Sequence, residues 1–407
     1  MLDYTNKICL APMVRSGELP MRLMALKYGC DLVWSPEIID KKLITTRRVE
    51  NYELGTIDYL ASNNNHQNNK KPSFDTVVFR KHPLETGKLI LQLGTSDPDL
   101  AVEAALKVIE DVDGIDLNCG CPKSFSTHSG MGAELLKTPD LLCSILRNLV
   151  TKVGKVYEKQ ISCKIRLNSN FKITYNLIEK IVKTGISNLT IHCRTPIMRN
   201  RQNVFLNYLP KLIPLIEENG VSLILNGNFQ SRSDLKAIQK ALGNDKLSIM
   251  IAEAAESNPS ILSNEPITQD ILISEIFEFG QKYHNFPGTK FLIMNMIPGK
   301  SKYYQIFAKC KNFEMMSEEI SKLKENKEND KDDKIYKILN KNCQKSNSFN
   351  KEEFQLEMEK RSNEIENFFE NWNEDDMLLD LVDAPTKRTM EIPKHKLETK
   401  RQKIEAA

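Results

Sequence analysis

Eight short apolar runs recur through the first two thirds of the chain, and their spacing constrains the fold more than anything else in the sequence. They are Lys7–Val14, Asp31–Pro36, Lys88–Gly94, Gly114–Gly120, Gln160–Leu167, Asn188–Arg194, Ser222–Asn228 and Ser248–Ala254. The runs do not alternate apolar with polar, so they suit strands covered on both faces of a parallel sheet. Helical patterns separate most of them. Residues 97–110 open with Asp97-Pro98 and residues 138–150 with Thr138-Pro139, each a capping residue followed by a first-turn proline. Residues 173–184, 208–219 and 231–242 keep helical periodicity, with Gly185, Gly220 and Gly243 just past their ends as stop signals. Strand–helix alternation repeated eight times over about 260 residues fits an α/β fold of the (β/α)8 TIM-barrel type. A doubly wound open sheet is the alternative, and eight units favour closure.

Between the second and third runs lies an irregular stretch with an Asn-rich segment, Ala61–Ser73, and a strand-like Thr76–Arg80. It reads as a surface insertion carrying a hairpin, with the Asn run disordered. Past residue 265 no further strand run occurs. Residues 268–284, 289–297 and Tyr303–Lys311 read as helices, Lys324–Lys334 as a charged linker or solvated helix face, and 351–372 as one more helix. The expected organisation is a barrel domain over residues 1–265 and a smaller all-α domain over 266–345. Residues 346–407 would then be a helix plus a basic, disordered C-terminal tail.

Composition excludes several classes. No stretch of about 18 uncharged apolar residues exists, so no membrane-spanning helix is expected. The N-terminus has no basic-then-apolar secretory pattern. Nine dispersed cysteines, an odd count, read as reduced intracellular thiols. The net charge of +3, from 57 basic and 54 acidic residues, neither requires nor excludes a nucleic-acid partner.

In such a barrel the active site forms where strands end. Polar residues stand at those ends: Arg15 after Pro12-Met13-Val14, Glu37, Gln92, Asn118 with Cys119 and Cys121, Lys164 and Arg166, His192 and Arg194, Asn226 through Asn228, and Glu253 after Ala252. Each alone has a bland reading. His192 in an apolar run is more often a satisfied core histidine, and Gln92 would serve buried backbone. Eight strand ends supplying polar groups to one rim argue for a site. The most specific segment is Asn118–Leu135. Its Cys-x-Cys spacing has no second ligand pair, so a metal is not expected. A thiol before proline in a glycine-rich loop can act as a general acid or a nucleophile.

Six stretches together carry a family resemblance: Ala11-Pro12-Met13-Val14, Gln92-Leu93-Gly94, Asn118 through Gly120-Cys121-Pro122, Lys164-Ile165-Arg166, His192-Cys193-Arg194 and Asn226-Gly227. In order and spacing the chain resembles the dihydrouridine synthases, flavin-dependent tRNA-modifying barrels, over about residues 5–310. Trp34–Lys42 looks like the eukaryotic branch, particularly its fungal members. The resemblance implies a flavoprotein oxidoreductase in which NADPH (or NADH) reduces bound FMN, and the reduced flavin passes a hydride to C6 of a D-loop uridine in tRNA. Cys121 would give the proton to C5, with Cys119 as its rival. FMN would rest on Pro12, Met13 and Val14, near Glu37. Gln92 and Lys164 would meet the ring edge. His192, Asn226, Gly227, Asn228 and the backbone at Ala252 and Glu253 would hold the phosphate. Asn118, Arg166 and Arg194 would face the uracil. It further implies a monomer in the cytoplasm, with the basic tail as a nuclear-targeting run or an added RNA contact. Lys41, Lys42, Arg47, Arg48, Arg199, Arg201, Lys300 and Lys302 are candidate phosphate contacts for tRNA.

Two departures from the family pattern stand out. Asn228 replaces a glycine, and Glu253 stands where an arginine often pairs with phosphate, so weaker FMN binding would follow. Two other readings compete: a flavin barrel reducing a free pyrimidine, in the manner of a dihydroorotate dehydrogenase, and a tRNA-binding protein without catalysis.

Overall fold

In a computed structural model, which describes residues 2–61, 76–199, 202–267, 269–297, 299, 302–325 and 351–373, the eight runs close into a parallel barrel. Its strands are β1 (Ile8–Leu10), β2 (Leu32–Trp34), β3 (Leu89–Gly94), β4 (Gly114–Cys119), β5 (Gln160–Arg166), β6 (Asn188–His192), β7 (Ser222–Asn226) and β8 (Ser248–Ile251). Each pairs in parallel with its sequence neighbour. Two joins close the ring: Ile8 of β1 stands opposite Ile249 of β8, and Val33 of β2 opposite Leu89 of β3. A short extra strand, Ile38–Ile39, lies along the end of β3. The first run gives only a three-residue strand, so Ala11 through Val14 leave the sheet and form the rim.

The period-2 alternation of each strand divides the core in two. Cys9, Leu32, Trp34, Ile90, Ile224 and Met250 point inward and form one buried cluster with Tyr4 and Ala11. Their neighbours along the chain, such as Ile8, Val33, Leu89, Leu225 and Ile249, point outward into a much larger cluster shared with the helices. Those helices are α1 (Leu19–Lys27), α2 (Pro98–Val108), α3 (Pro139–Leu149), α4 (Phe171–Val182), α5 (Leu209–Glu218) and α6 (Ser233–Leu242). Asp97 caps α2 as expected, accepting from the N–H groups of Asp99 (2.8 Å) and Leu100 (3.0 Å). Gly185, Gly220 and Gly243 all take left-handed φ values where the helices stop.

The insertion after β2 is more than a surface hairpin. It is a three-stranded antiparallel sheet, Arg47–Asn51, Thr56–Ala61 and Thr76–Lys81, and the Asn-rich run past Ala61 lies outside the described residues. Tyr59 and Phe79 are buried in it. Arg22 of α1 pins it to the barrel, donating to Glu85 (2.6 Å) and to the carbonyl oxygens of Gly17 (2.8 Å) and Arg80 (2.7 Å). Arg48 is a two-pronged partner of Asp111 (2.8 and 3.0 Å), which the Tyr59 hydroxyl also meets. Arg48 is thus tied to the fold while remaining exposed.

Beyond the barrel come α7 (Gln269–Lys282), α8 (Phe286–Met296), α9 (Lys302–Lys309) and α10 (Phe313–Glu325). Phe313 packs edge-on against Phe277 and Phe286, with ring centres 5.8 and 5.3 Å apart. The Tyr28 hydroxyl (2.7 Å) and Lys27 (2.9 Å) both meet Glu275 and tie α7 to the barrel, and Arg80 of the inserted sheet donates to the Tyr283 carbonyl (2.7 Å). A last helix, α11 (Lys351–Glu370), lies against α6 rather than apart from the barrel. The basic tail lies outside the described residues. No helix among those described is long and apolar enough to cross a membrane.

Candidate active site

The alternation of β4 settles which cysteine is available. Asp116 and Asn118 point into the barrel, while Leu117 and Cys119 point out. Cys119 is fully buried in the sheet–helix layer, which makes it a packing residue. Cys121 stands past the strand end and is only partly covered. Its backbone is fixed on both sides. The Asn118 Oδ1 accepts from the N–H groups of Gly120 (2.9 Å) and Cys121 (3.0 Å), and the Cys121 carbonyl accepts from Ala133 N–H (3.0 Å). Asn118, expected to face the uracil, therefore spends its carbonyl oxygen on holding the thiol loop.

Glu37 stands beside that thiol. Its Oε1 accepts from the Ser126 hydroxyl (3.0 Å), and its Oε2 is buried without a partner among the described residues. Gly94 makes room for it, since a Cβ at that position would lie 2.6 Å from Oε1. This explains the glycine of the Gln92-Leu93-Gly94 motif. Burial pushes the Glu37 carboxyl up, against the opposing effect of the Ser126 hydroxyl and the nearby Cys121 and Asn118 side chains. Burial and the neighbouring Glu37 charge push the Cys121 thiol up as well. Such a thiol stays protonated at neutral pH, the state a general acid needs.

Across the mouth, Lys164 and Arg166 project from β5. Arg166 donates to the carbonyl oxygens of Gly120 (2.9 Å) and Thr195 (3.0 Å), so it braces the loops after β4 and β6. Burial and the adjacent Arg166 bring Lys164 down to about 7. Beneath it, Asp116 accepts from the Gln92 amide (2.9 Å) and the Ser162 hydroxyl (2.7 Å), and burial raises it to about 6. The Gln92 side chain thus donates to a buried carboxylate below the rim. Asp116 and Ser162 were missed in the sequence. Their signal was a single inward-facing polar residue within each apolar strand.

A cleft opens on the adjoining strands, lined by His192, Arg194, Asn226, Gly227, Asn228, Met250, Ala252 and Glu253. The Arg194 guanidinium lies 3.1 Å from His192 Nε2. Arginine can only donate, so Nε2 accepts and the neutral ring carries its proton on Nδ1. Burial and the nearby Lys164, Arg166 and Arg194 hold His192 well below its ordinary value, in the neutral form. Burial holds the Arg194 guanidinium below its ordinary value, and Glu253, which lines the same cleft, acts weakly in the opposite sense. Met13 and Ala252 both pack on the inner cluster from the mouth side, whereas Val14 is exposed on the rim.

The donor set fits an anionic, ring-bearing group. Lys164, Arg166 and Arg194 depress one another or His192, and the acidic groups acting on them are Asp116 below and Glu253 at the side. Three cations thus gather at the mouth, with Glu37, Asp116 and Glu253 as the carboxylates around them; a phosphorylated flavin would set its phosphate against the cations and cover the apolar rim. Lys41 and Lys42 are exposed on the short helix Asp40–Ile44, and Arg199 is exposed after β6. Arg201 and Lys300 lie outside the described residues.

Comparison with known proteins places the chain in a family. Residues 9–377 match the family model described as dihydrouridine synthase (Dus). A tRNA-dihydrouridine(20) synthase [NAD(P)+] of Saccharomyces cerevisiae is 46% identical over 326 residues, which cover 78% of this chain and 84% of that protein. The protein of the same description in Schizosaccharomyces pombe is 45% identical over 304 residues, 74% of this chain and 61% of that one. A mouse tRNA-dihydrouridine(20a/20b) synthase-like protein is 29% identical over 258 residues, 63% of this chain and 69% of that one.

Proposed function

The chain belongs to the dihydrouridine synthase family and is an NAD(P)-dependent oxidoreductase; on that premise we propose that it reduces the C5=C6 bond of uridine 20 in the D-loop of tRNA, with FMN as its flavin. When bound, the flavin takes electrons from NADPH or NADH and supplies the hydride that reaches C6. The protein does the rest. Cys121 delivers its thiol proton to C5, so hydride and proton together saturate the double bond. Asn118 and Arg166 hold the loop that presents that thiol. Lys164 places a positive charge beside the ring edge, where charge develops on reduction. Pro12, Met13 and Val14 give the ring an apolar rest. His192, Asn226, Gly227 and Asn228, with the backbone at Ala252 and Glu253, take the phosphate; Arg194, expected to face the uracil, lines the same cleft beside His192, and we reassign it to the phosphate. The target base must leave its stack to reach a thiol at the barrel mouth. Lys41, Lys42 and Arg199 are the exposed cations we assign to the tRNA backbone. We take the enzyme to act as a monomer in the cytoplasm.

The observation that carries this reading is the gathering of Cys121, Lys164, Arg166 and the His192–Arg194 pair at the strand ends of one barrel. The test is spectroscopic. Anaerobic NADPH bleaches the flavin band, and unmodified tRNA then restores it. In Cys121→Ala the bleaching persists and the restoration fails. A protein that binds no flavin, or a flavin reoxidised by tRNA equally fast without the thiol, contradicts the reading.

A further inference from the structure

We propose that Arg361, on the C-terminal helix α11, is the positioning residue of the phosphate loop, so that FMN retention depends on a helix outside the barrel. This rests on the FMN reading of the cleft. The loop between β7 and α6 lines that cleft with Asn226, Gly227 and Asn228. Asn228 has φ 59, a left-handed conformation that asparagine tolerates better than most side chains. Something must still fix the direction of its carbonyl.

Two side chains do. The Gln230 amide nitrogen donates to the Asn228 carbonyl (3.3 Å) and to its Oδ1 (3.1 Å). One terminal nitrogen of Arg361 donates to the same carbonyl (2.9 Å) and to Asp234 Oδ2 (3.0 Å). Asp234 is fully buried in the first turn of α6, and its Oδ2 also accepts from Gln230 N–H (2.7 Å). Arg361 therefore ties loop carbonyl, loop amide and helix carboxylate into one knot. The helix that carries it, and the residues just after it, are anchored at three further points. Ser231 Oγ meets Met358 Sδ (2.9 Å), Lys240 pairs with Glu366 (2.7 Å), and Trp372 Nε1 donates to the Asn207 carbonyl (2.9 Å).

The consequence is directional. With the Asn228 carbonyl drawn toward α11, the N–H of the same trans peptide, that of Phe229, points the opposite way. Phe229 belongs to the cleft lining. Holding the peptide in this sense offers a donor, rather than an acceptor, to a phosphate. Donors matter more here because Glu253 occupies the strand-eight position.

The test compares FMN with riboflavin, which lacks the phosphate, by fluorescence titration of the full-length apoprotein. Arg361→Met alone would leave Asp234 as a buried unpaired charge, so the working variant is Arg361→Met with Asp234→Asn. A lost charged hydrogen bond at the loop predicts about tenfold or more loss of FMN affinity. Riboflavin affinity should stay near that of the wild type, and Arg361→Lys, which keeps a donor, should recover most of the FMN affinity. Equal FMN affinity in wild type and double variant overturns the proposal. So does a parallel loss for FMN and riboflavin, which would mark α11 as a general brace. A wild-type protein that binds no FMN removes the flavin reading and this inference with it.

Discussion

Lys164 makes flavin binding a proton-linked event. In the free protein burial and Arg166 bring its ammonium down to about 7, from an ordinary value of 10.5. An anionic ligand at the mouth stabilises the charged form and raises that value again. The sign follows from the two states. Below pH 7 the lysine is charged with and without ligand, and contributes no pH dependence. Above 7 the free protein has released the proton and the complex still holds it, so binding takes one up and affinity falls as pH rises. One proton corresponds to about tenfold in Kd per pH unit, from about pH 7 up to the value in the complex. The flavin phosphate, with a second ionisation near 6, is already fully charged across that range and adds no slope. Fluorescence titration of apoprotein with FMN between about pH 7 and 9 measures the slope, and calorimetry in two buffers of different ionisation enthalpy counts the proton. Lys164→Met should weaken binding at pH 7 and flatten the profile. A flat wild-type profile, or an unchanged slope in Lys164→Met, refutes the assignment of Lys164 to the ring.

Three further outcomes follow. Cys121→Ala should slow uridine reduction by about 10²–10⁴ while NADPH still reduces the flavin at the wild-type rate. If stopped-flow traces instead show Cys121→Ala active and Cys119→Ala dead, the thiol is misassigned. Glu37→Gln removes a negative charge beside the thiol, so the pH profile of Cys121 alkylation should move down; an unmoved profile breaks the Glu37–Cys121 coupling. Arg22→Met strands the buried Glu85 carboxylate and should cost about 3–5 kcal/mol in denaturant unfolding, most of it regained when Glu85→Gln is added. A loss under about 1 kcal/mol would mean that water reaches the pair.

The barrel was legible because buried parallel strands are apolar on both faces. Leu89 through Leu93 and Gly114 through Leu117 read as such from the sequence alone. The same signature hid Asp116, a lone inward carboxylate in a run recognised by its outward neighbours. Arg47–Asn51 was unreadable as a strand because it is mostly exposed, and its two arginines suggested RNA instead of the Asp111 contact. Phe313–Glu325 was passed over because its charges outnumber its apolar residues, and only Phe313 and its buried neighbours reveal which face packs. Motif order located Cys121, Lys164 and His192 at one rim, but not what each neighbour does. Asn118 spends its oxygen on the loop, and Gln92 spends its amide on Asp116. Arg361 could not be read at all, because its partners Asn228 and Asp234 lie 133 and 127 residues earlier and no local pattern links them.

The most direct measurement is nucleotide-resolved detection of dihydrouridine in unmodified tRNA after incubation with the FMN-loaded protein and NADPH. The account predicts dihydrouridine at position 20 with wild-type protein and essentially none with Cys121→Ala. Reduction of free uracil with tRNA left untouched, or dihydrouridine formed at the wild-type rate without Cys121, would contradict it.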